Sequence, residues 1–282
     1  SGYRVTARAG REHRRGVDLL RADLDAFEEA MDSAGARPDV IKVQAAGPWT
    51  LAAGVELRSG HKVLTDPGAL REFAASLAEG LRVHASEVHR RLGVSTIVQL
   101  DEPGLPAVLA GSVPTPSGYG SVAAVPESAA VELLRSVLEA LPTPRIVHCC
   151  APRPPLALLR EAGADALAVD AALLAGAPRA TIDALGEAWD SGMSVLLGLV
   201  PAVAHSGQPG RAGGPPTLAD LARPALDLVD RLGFDRSLLA QRCLPTPSCG
   251  LAAATPGWAR RALGLARELG QAFVDPPDSW WR

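Results

Sequence analysis

The sequence predicts an α/β protein of the TIM (β/α)8 barrel class. Three observations lead to this prediction. Short apolar runs alternate with amphipathic helical segments along 282 residues, a pattern typical of parallel strands joined by helices. Apolar residues make up 47% of the chain, which is enough for one large core. Cysteine and polar residues follow several of the runs, where barrel enzymes place their functional side chains.

Hydrophobic periodicity assigns the helices in order, and the best defined begins after the capping residues Thr65 and Asp66 and ends at Gly93. The expected helices are 17–33, 67–92, 127–141, 155–162, 180–190, 218–232 and 256–273. The expected strands, short and apolar, are 40–44, 96–100, 145–148, 166–169, 194–199 and 242–244. Residues 201–216 are rich in glycine and proline and are interpreted as a flexible loop that carries His205, a weak candidate for general acid.

Six expected strands are fewer than the eight that close a barrel. Either the sheet is open and doubly wound, or two strands precede Ser1 in a longer parent, and we favour the second interpretation. We therefore expect residues 1–282 to be a single barrel domain that is truncated at its N-terminus.

Composition narrows the classes of partner and the compartment. The net charge is −3, and no basic stripe with interleaved aromatic residues occurs, so nucleic acid is not an expected partner. No apolar run approaches the roughly 20 residues of a membrane helix. The four cysteines are too few for a disulfide framework in a chain of this length, which favours a reducing cytoplasm.

Four residues near the ends of expected strands could bind a metal ion. His148 and Cys150 are two positions apart, so an extended chain points both side chains to the same side and Cys149 to the other. Asp170 and Cys249 follow later apolar runs. Two sulfurs, one nitrogen and one oxygen suit tetrahedral Zn²⁺. The alternatives are an N-cap role for Asp170 and buried packing roles for the cysteines, which we also assign to Cys149 and Cys243.

The segments VQLDEPGL, VHCCAP, GADALAVD and PTPSCGL, in this order, resemble the catalytic barrel of cobalamin-independent methionine synthase. This family is part of a larger group with uroporphyrinogen decarboxylase and zinc-dependent methylcobalamin thiol methyltransferases. The resemblance extends over residues 42–258. It implies that His148, Cys150, Asp170 and Cys249 bind Zn²⁺. The family usually has glutamate at the position of Asp170, and full-length members carry a second barrel that helps to bind folate.

The resemblance also implies three further site residues. Asp101 matches the aspartate that binds the ammonium group of the substrate, with a turn-capping role as the alternative. Glu102 is expected either to orient a zinc ligand and contact substrate or to be solvated. Trp49, in the similar segment AAGPWTLA, is expected either to stack on the methyl donor or to fill the mouth of the barrel.

The function implied by the resemblance is zinc-dependent transfer of a methyl group to a thiol, homocysteine by preference, to give methionine. The donor would be a methyl-folate or a methyl-corrinoid. Two alternatives stay open: a non-catalytic zinc or thiol binding barrel, and a decarboxylase related to uroporphyrinogen decarboxylase. The decarboxylase is disfavoured because its chemistry needs no metal and would leave the ligand set unexplained.

Overall fold

The computed structural model describes residues 3–204, 216–277 and 280. The predicted loop 201–216 therefore falls mostly outside the described residues, and His205 falls wholly outside them. The chain forms two compact units, Ser1–Ile146 and Val147–Arg282. The expectation of a single domain stays a prediction.

The first unit alternates helices with parallel strands. It contains β1 (Tyr3–Arg4), α1 (Arg11–Ser33), β2 (Val40–Ala46), α2 (Pro48–Gly54), β3 (Val55–Glu56), α3 (Pro67–Leu92), β4 (Ser95–Asp101), α4 (Leu105–Leu109), α5 (Glu127–Leu138) and the start of β5 (Arg145–His148). Strands β2 and β4 are parallel, with Gln44 opposite Gln99 and Ala46 opposite Asp101. Helices α3 and α5 pack together and α3 covers β4, so the core of this unit lies beneath α3.

The second unit continues the alternation. It contains the end of β5, α6 (Leu156–Glu161), β6 (Ala166–Asp170), α7 (Ala171–Leu174), α8 (Arg179–Asp190), β7 (Ser194–Val200), α9 (Leu218–Leu232), α10 (Leu238–Arg242), β8 (Cys243–Pro247) and α11 (Pro256–Val274). Strand β7 pairs in parallel with β6 on one side and β8 on the other. It is buried from Val195 to Val200, as expected for a strand covered on both faces.

Local sequence explains where the best-defined helices begin and end. The Asp66 carboxylate accepts hydrogen bonds from the backbone N–H groups of Gly68 and Ala69, which caps α3. Gly93 ends the same helix with a φ of 68°, a left-handed conformation that favours glycine. Helix α9 begins with a reciprocal capping box between Thr217 and Asp220.

The α/β class is confirmed, but a closed eight-stranded barrel is not. Within the described residues, six strands of four or more residues alternate with helices, and each lies at or within a few residues of its predicted place. The structure therefore supports a parallel α/β arrangement and leaves the complete barrel unconfirmed.

Three predicted boundaries were wrong. The helix predicted at 127–141 ends at Leu138. Helix α1 begins at Arg11 rather than at residue 17, because charged residues with good helix propensity extend it although they add no apolar period. The last strand is Cys243–Pro247, and Arg242 instead ends helix α10. Pro245 and Pro247 obscured this strand in the sequence, but β8 is the last strand of the sheet, where proline is tolerated.

Candidate functional site

Strand β5 delivers the first two candidate ligands. His148 is the last residue of β5, and the N–H of Cys149 donates to the carbonyl oxygen of Ala168 at 3.0 Å, which keeps the chain extended past the strand end. Cys149 is fully buried, as expected for its packing role, whereas Cys150 is partly exposed. The alternation of side chains along an extended segment therefore places His148 and Cys150 on one side.

The third candidate, Cys249, follows strand β8. The preceding Ser248 donates its N–H to the carbonyl oxygen of Val200 at 2.8 Å, and its hydroxyl accepts a hydrogen bond from the N–H of Ala202 at 3.2 Å. These two bonds tie the Cys249 segment to the end of β7. Cys249 is thus held beside the strand ends of the second unit, although it lies outside regular structure itself.

The structure brings His148, Cys150 and Cys249 together. One ligand atom from each lies within 4.8 Å of the others, and the two Sγ atoms are 3.8 Å apart. Two thiolates on a tetrahedral zinc ion, each about 2.3 Å from the metal, would be about 3.8 Å apart. His148 and Cys150 are partly exposed and Cys249 is exposed, so the group opens to solvent on one side. The donor set and its spacing therefore fit a zinc ion.

Asp170 has a different role in this structure. Its carboxylate accepts a hydrogen bond from the N–H of Ala172 at 2.9 Å and caps the N-terminus of α7. Burial raises the pKa of Asp170, while backbone hydrogen bonds from Ala172 and Leu173 and the nearby His148 lower it. Asp170 is not part of the three-residue group, so its binding to the metal stays a prediction.

Gly198 on β7 leaves the space in which the Cys249 segment lies. A Cβ atom at this position would lie 2.6 Å from the Cα of Ser248 and 3.3 Å from the Cα of Asp170. Both neighbours are backbone atoms, so neither can give way by changing its rotamer. We expect Gly198→Ala to destabilise the fold by about 1–3 kcal/mol and to weaken zinc binding through displacement of Cys249.

This prediction is checked by urea unfolding and by zinc titration of Gly198→Ala beside Gly264→Ala. Gly264 lies in α11 and has no atom within 4 Å of the added methyl group, so its substitution should leave zinc binding unchanged. Equal zinc affinity in the wild type and Gly198→Ala would show that the close packing does not position Cys249.

In the first unit, Asp101 ends strand β4 and is oriented by its own strand. The side-chain amide of Gln99 donates to Asp101 Oδ1 at 2.7 Å, because residues two apart on a strand share a face. Within strand β2, which neighbours β4, the ammonium group of Lys42 donates to the side-chain oxygen of Gln44 at 2.6 Å. Burial lowers the pKa of Lys42, and the charge of Asp101 opposes this shift. Asp101 is therefore part of a polar strip along β2 and β4.

Glu102 is fully buried, so the expectation that it is solvated was wrong. Its carboxylate accepts from the N–H of Trp49 at 2.9 Å, from the N–H of Thr50 at 2.8 Å and from the hydroxyl of Thr50 at 2.7 Å. All three donors lie in the first turn of α2, where a negative charge is favourable. A direct contact between Glu102 and a substrate stays a prediction that its enclosure does not favour.

Trp49 belongs to the core. Its ring is 1% exposed, and the indole N–H donates to the carbonyl oxygen of Ala130 at 3.1 Å. An enclosed ring offers no face on which a methyl donor could stack. Of the two interpretations, the structure favours packing over donor binding.

Glu102 should make stability depend on pH. Burial raises its pKa to about 7 against the three hydrogen bonds, which lower it. The raised pKa means that, between pH 4.5 and about 7, Glu102 binds more protons in the folded protein than in the unfolded chain. Its contribution to stability is therefore full below pH 4.5 and is lost as the pH rises through 7. At about 1.36 kcal/mol per unit, the loss attributable to Glu102 is about 3 kcal/mol.

Urea unfolding at pH 4.5 and pH 8.5 checks this expectation. The wild type should lose about 3 kcal/mol more than Glu102→Gln between these values, since glutamine does not titrate. Glu132→Gln, on the exposed side of α5, serves as the control and should behave as the wild type. Equal losses in the wild type and Glu102→Gln would contradict the raised pKa.

Fold and site together define an α/β protein with a Cys2His group suited to zinc near its strand ends. The family model described as the catalytic domain of cobalamin-independent synthase matches residues 1–272, and the chain belongs to that family. Membership supports an enzyme with a methyl transfer role.

One solved structure with a TM-score above 0.5 agrees with the fold. A methyltransferase from Methanosarcina mazei is 15% identical with a TM-score of 0.53; the match covers 87% of this chain and 63% of that one. The chain thus spans less than two thirds of the length of that protein. A GH20 β-N-acetylhexosaminidase from Streptomyces coelicolor A3(2) is 12% identical with a TM-score of 0.39. That match covers 88% of this chain and 61% of the hexosaminidase chain.

Two further results concern curated relatives and membrane-spanning helices. The comparison with curated proteins gives no match to this chain. None of the helices in the part of the chain that the structure describes combines the length and apolar character needed to span a bilayer.

The sequence interpretation missed the set of bonds around Glu102. These bonds join residues 47–50, which follow strand β2, to residues 101–104 at the end of strand β4. The bonded residues Thr50 and Glu102 are 52 positions apart in the chain. The only signal in the sequence was the presence of two glycine and proline turns directly after predicted strands. Such turns are common in α/β proteins, and neither indicates the other as its partner.

Proposed function

We propose that this protein is a zinc-dependent methyltransferase that methylates the thiol of homocysteine to give methionine. The observation that supports this proposal most strongly is the 3.8 Å separation of the Cys150 and Cys249 sulfurs beside His148. Family membership supplies the methyl transfer role, and the ligand group supplies a reason for choosing a thiol as the acceptor. The proposed donor is a methyl-folate or a methyl-corrinoid.

His148, Cys150 and Cys249 would hold the metal, with Asp170 as the proposed fourth ligand. When bound, zinc would supply a Lewis acid that lowers the pKa of a coordinated thiol, so that the nucleophilic thiolate is present at neutral pH. Catalytic zinc sites usually have three protein ligands and one position for a substrate.

The chain's own residues have defined tasks in this proposal. The two cysteines bind as thiolates and His148 binds as a neutral imidazole, so the ligand group carries negative charge that keeps electron density on an acceptor thiol. The exposed side of the group, at Cys249, is where an acceptor could enter.

The second task is to hold the amino-acid part of the acceptor. Asp101 is the proposed partner of the ammonium group of homocysteine, and Gln99 keeps its carboxylate in place. A charge-assisted hydrogen bond of this kind is stronger than a neutral one. The overall transfer joins the methyl group to the thiol sulfur, leaves the bonding electron pair with the donor, and releases the thiol proton.

The test is methionine formation from homocysteine with each donor separately, using zinc-loaded and chelator-treated protein. The proposal predicts methionine with at least one donor, loss of activity after zinc removal, and recovery when zinc is restored. Tight zinc binding without methionine from either donor would instead support a non-catalytic zinc protein.

A further inference from the structure

The carboxyl group of Glu102 is buried between two turns. It accepts hydrogen bonds from one turn, while the backbone of Glu102 belongs to the other. The donors to its oxygens, Trp49 and Thr50, belong to the turn after β2, whereas Glu102 itself belongs to the turn after β4. The carboxyl group therefore connects the ends of two neighbouring parallel strands.

Two more hydrogen bonds complete the connection. The N–H of Gly104 donates to the hydroxyl of Thr50 at 3.1 Å, and the N–H of Gly47 donates to the backbone carbonyl of Asp101 at 2.8 Å. Thr50 thus accepts from one side and donates to Glu102 on the other, and each bond links the same two turns.

Gly47 is required by the close approach of the two turns. A Cβ atom at this position would overlap with the carboxyl group of Glu102, so any other residue would displace that carboxyl group from its hydrogen bonds or push the turns apart. The buried carboxyl group, the hydroxyl of Thr50 and the missing side chain at Gly47 are fitted to one another. We name these three residues the strand-end clamp.

We propose that Glu102 is a positioning residue, which acts through the strand-end clamp to fix the place of the Asp101 carboxylate for binding the acceptor. Asp101 directly precedes Glu102, and its own carbonyl is bonded to Gly47, so the clamp fixes the backbone on which the Asp101 side chain stands. Gln99 then sets the orientation of the side chain on that backbone. This inference rests on the proposed role of Asp101 in substrate binding.

The enclosure of Glu102 explains why it positions rather than binds. Its side chain has no exposed surface, and both carboxylate oxygens already accept hydrogen bonds from α2. Replacing the carboxylate by an amide would leave the N–H groups of Trp49 and Thr50 buried with a weaker acceptor. A buried donor without a good acceptor is costly, so the two turns would be held together less firmly.

The first experiment is a double-mutant cycle on homocysteine kinetics. Glu102→Gln should raise KM for homocysteine about tenfold with a smaller change in kcat, because it acts through Asp101 and not on the methyl group. In the Asp101→Asn background, the same substitution should change KM less than twofold. A tenfold effect that persists at full size in that background would overturn the proposal.

A matched pair at Thr50 guards against a simple loss of folding. Thr50→Ser keeps the hydroxyl and should retain a KM close to that of the wild type. Thr50→Val has the same shape without the hydroxyl, so it should raise KM in the same direction as Glu102→Gln. Equal KM values for the serine and valine variants would contradict the clamp.

Amide hydrogen exchange tests the clamp without reference to activity. Exchange at Gly47 and Gly104 should be at least tenfold faster in Glu102→Gln than in the wild type, and unchanged in the control Glu132→Gln. Unchanged exchange would overturn the coupling of the two turns even if methyl transfer occurs. Accelerated exchange in a protein that transfers no methyl group would keep the clamp and reject the proposed function.

Discussion

Cys150→Ser and Cys249→Ser should each lower the rate of methyl transfer to homocysteine more than 100-fold at limiting zinc. The lower bound comes from metal sites in which loss of a residue that only supports a ligand costs 10–100-fold in affinity or activity; loss of a ligand should cost more. A serine hydroxyl stays protonated at neutral pH and is a poor ligand, so the group of donors falls from three to two.

The matched control for these variants is Cys243→Ser. Cys243 begins strand β8 and is not part of the group formed by His148, Cys150 and Cys249. Burial raises its pKa to about 12, which favours the neutral thiol. Activity is measured with initial rates at fixed total zinc. If Cys249→Ser retains more than a tenth of the wild-type rate while Cys243→Ser is also active, the zinc mechanism is wrong.

Asp101→Asn should raise KM for homocysteine about 10–100-fold and change kcat little. A hydrogen bond to a charged group contributes about 1.5–3 kcal/mol, and each 1.4 kcal/mol is about tenfold in binding. Asparagine keeps the shape and can still accept from Gln99, so the loss reports the charge of Asp101 rather than the fold.

An acceptor without an ammonium group provides the control for this prediction. With 4-mercaptobutyrate, which has the thiol and the carboxylate but no amino group, wild type and Asp101→Asn should have similar kcat/KM. A variant that is equally impaired with both acceptors would show that Asp101 does not recognise the ammonium group.

The order of the strands could be predicted because most of them are apolar runs that alternate with amphipathic helices. Strand β7 is buried from Val195 to Val200, and a continuous apolar run is its direct signature. Short helices such as Pro48–Gly54 and Leu238–Arg242 were not predicted, because five to seven residues give too few turns for a helical period.

The metal group could be predicted in part for a similar reason. Alternation along a strand places His148 and Cys150 together whatever the rest of the fold does. The position of Cys249 depends instead on bonds between Ser248 and the end of β7, which no local pattern encodes. Asp170 was expected as a ligand, and its capping bond to Ala172 is local chemistry that aspartate performs in many helices.

Elemental analysis of zinc tests the central claim most directly. We predict about one zinc ion per chain in the wild type and in Cys243→Ser after reconstitution and removal of excess metal, and a loss of that zinc in Cys249→Ser, since the site relies on three protein ligands. Wild-type protein that binds no zinc, or Cys249→Ser that binds as much zinc as the wild type, would contradict the zinc centre at His148, Cys150 and Cys249.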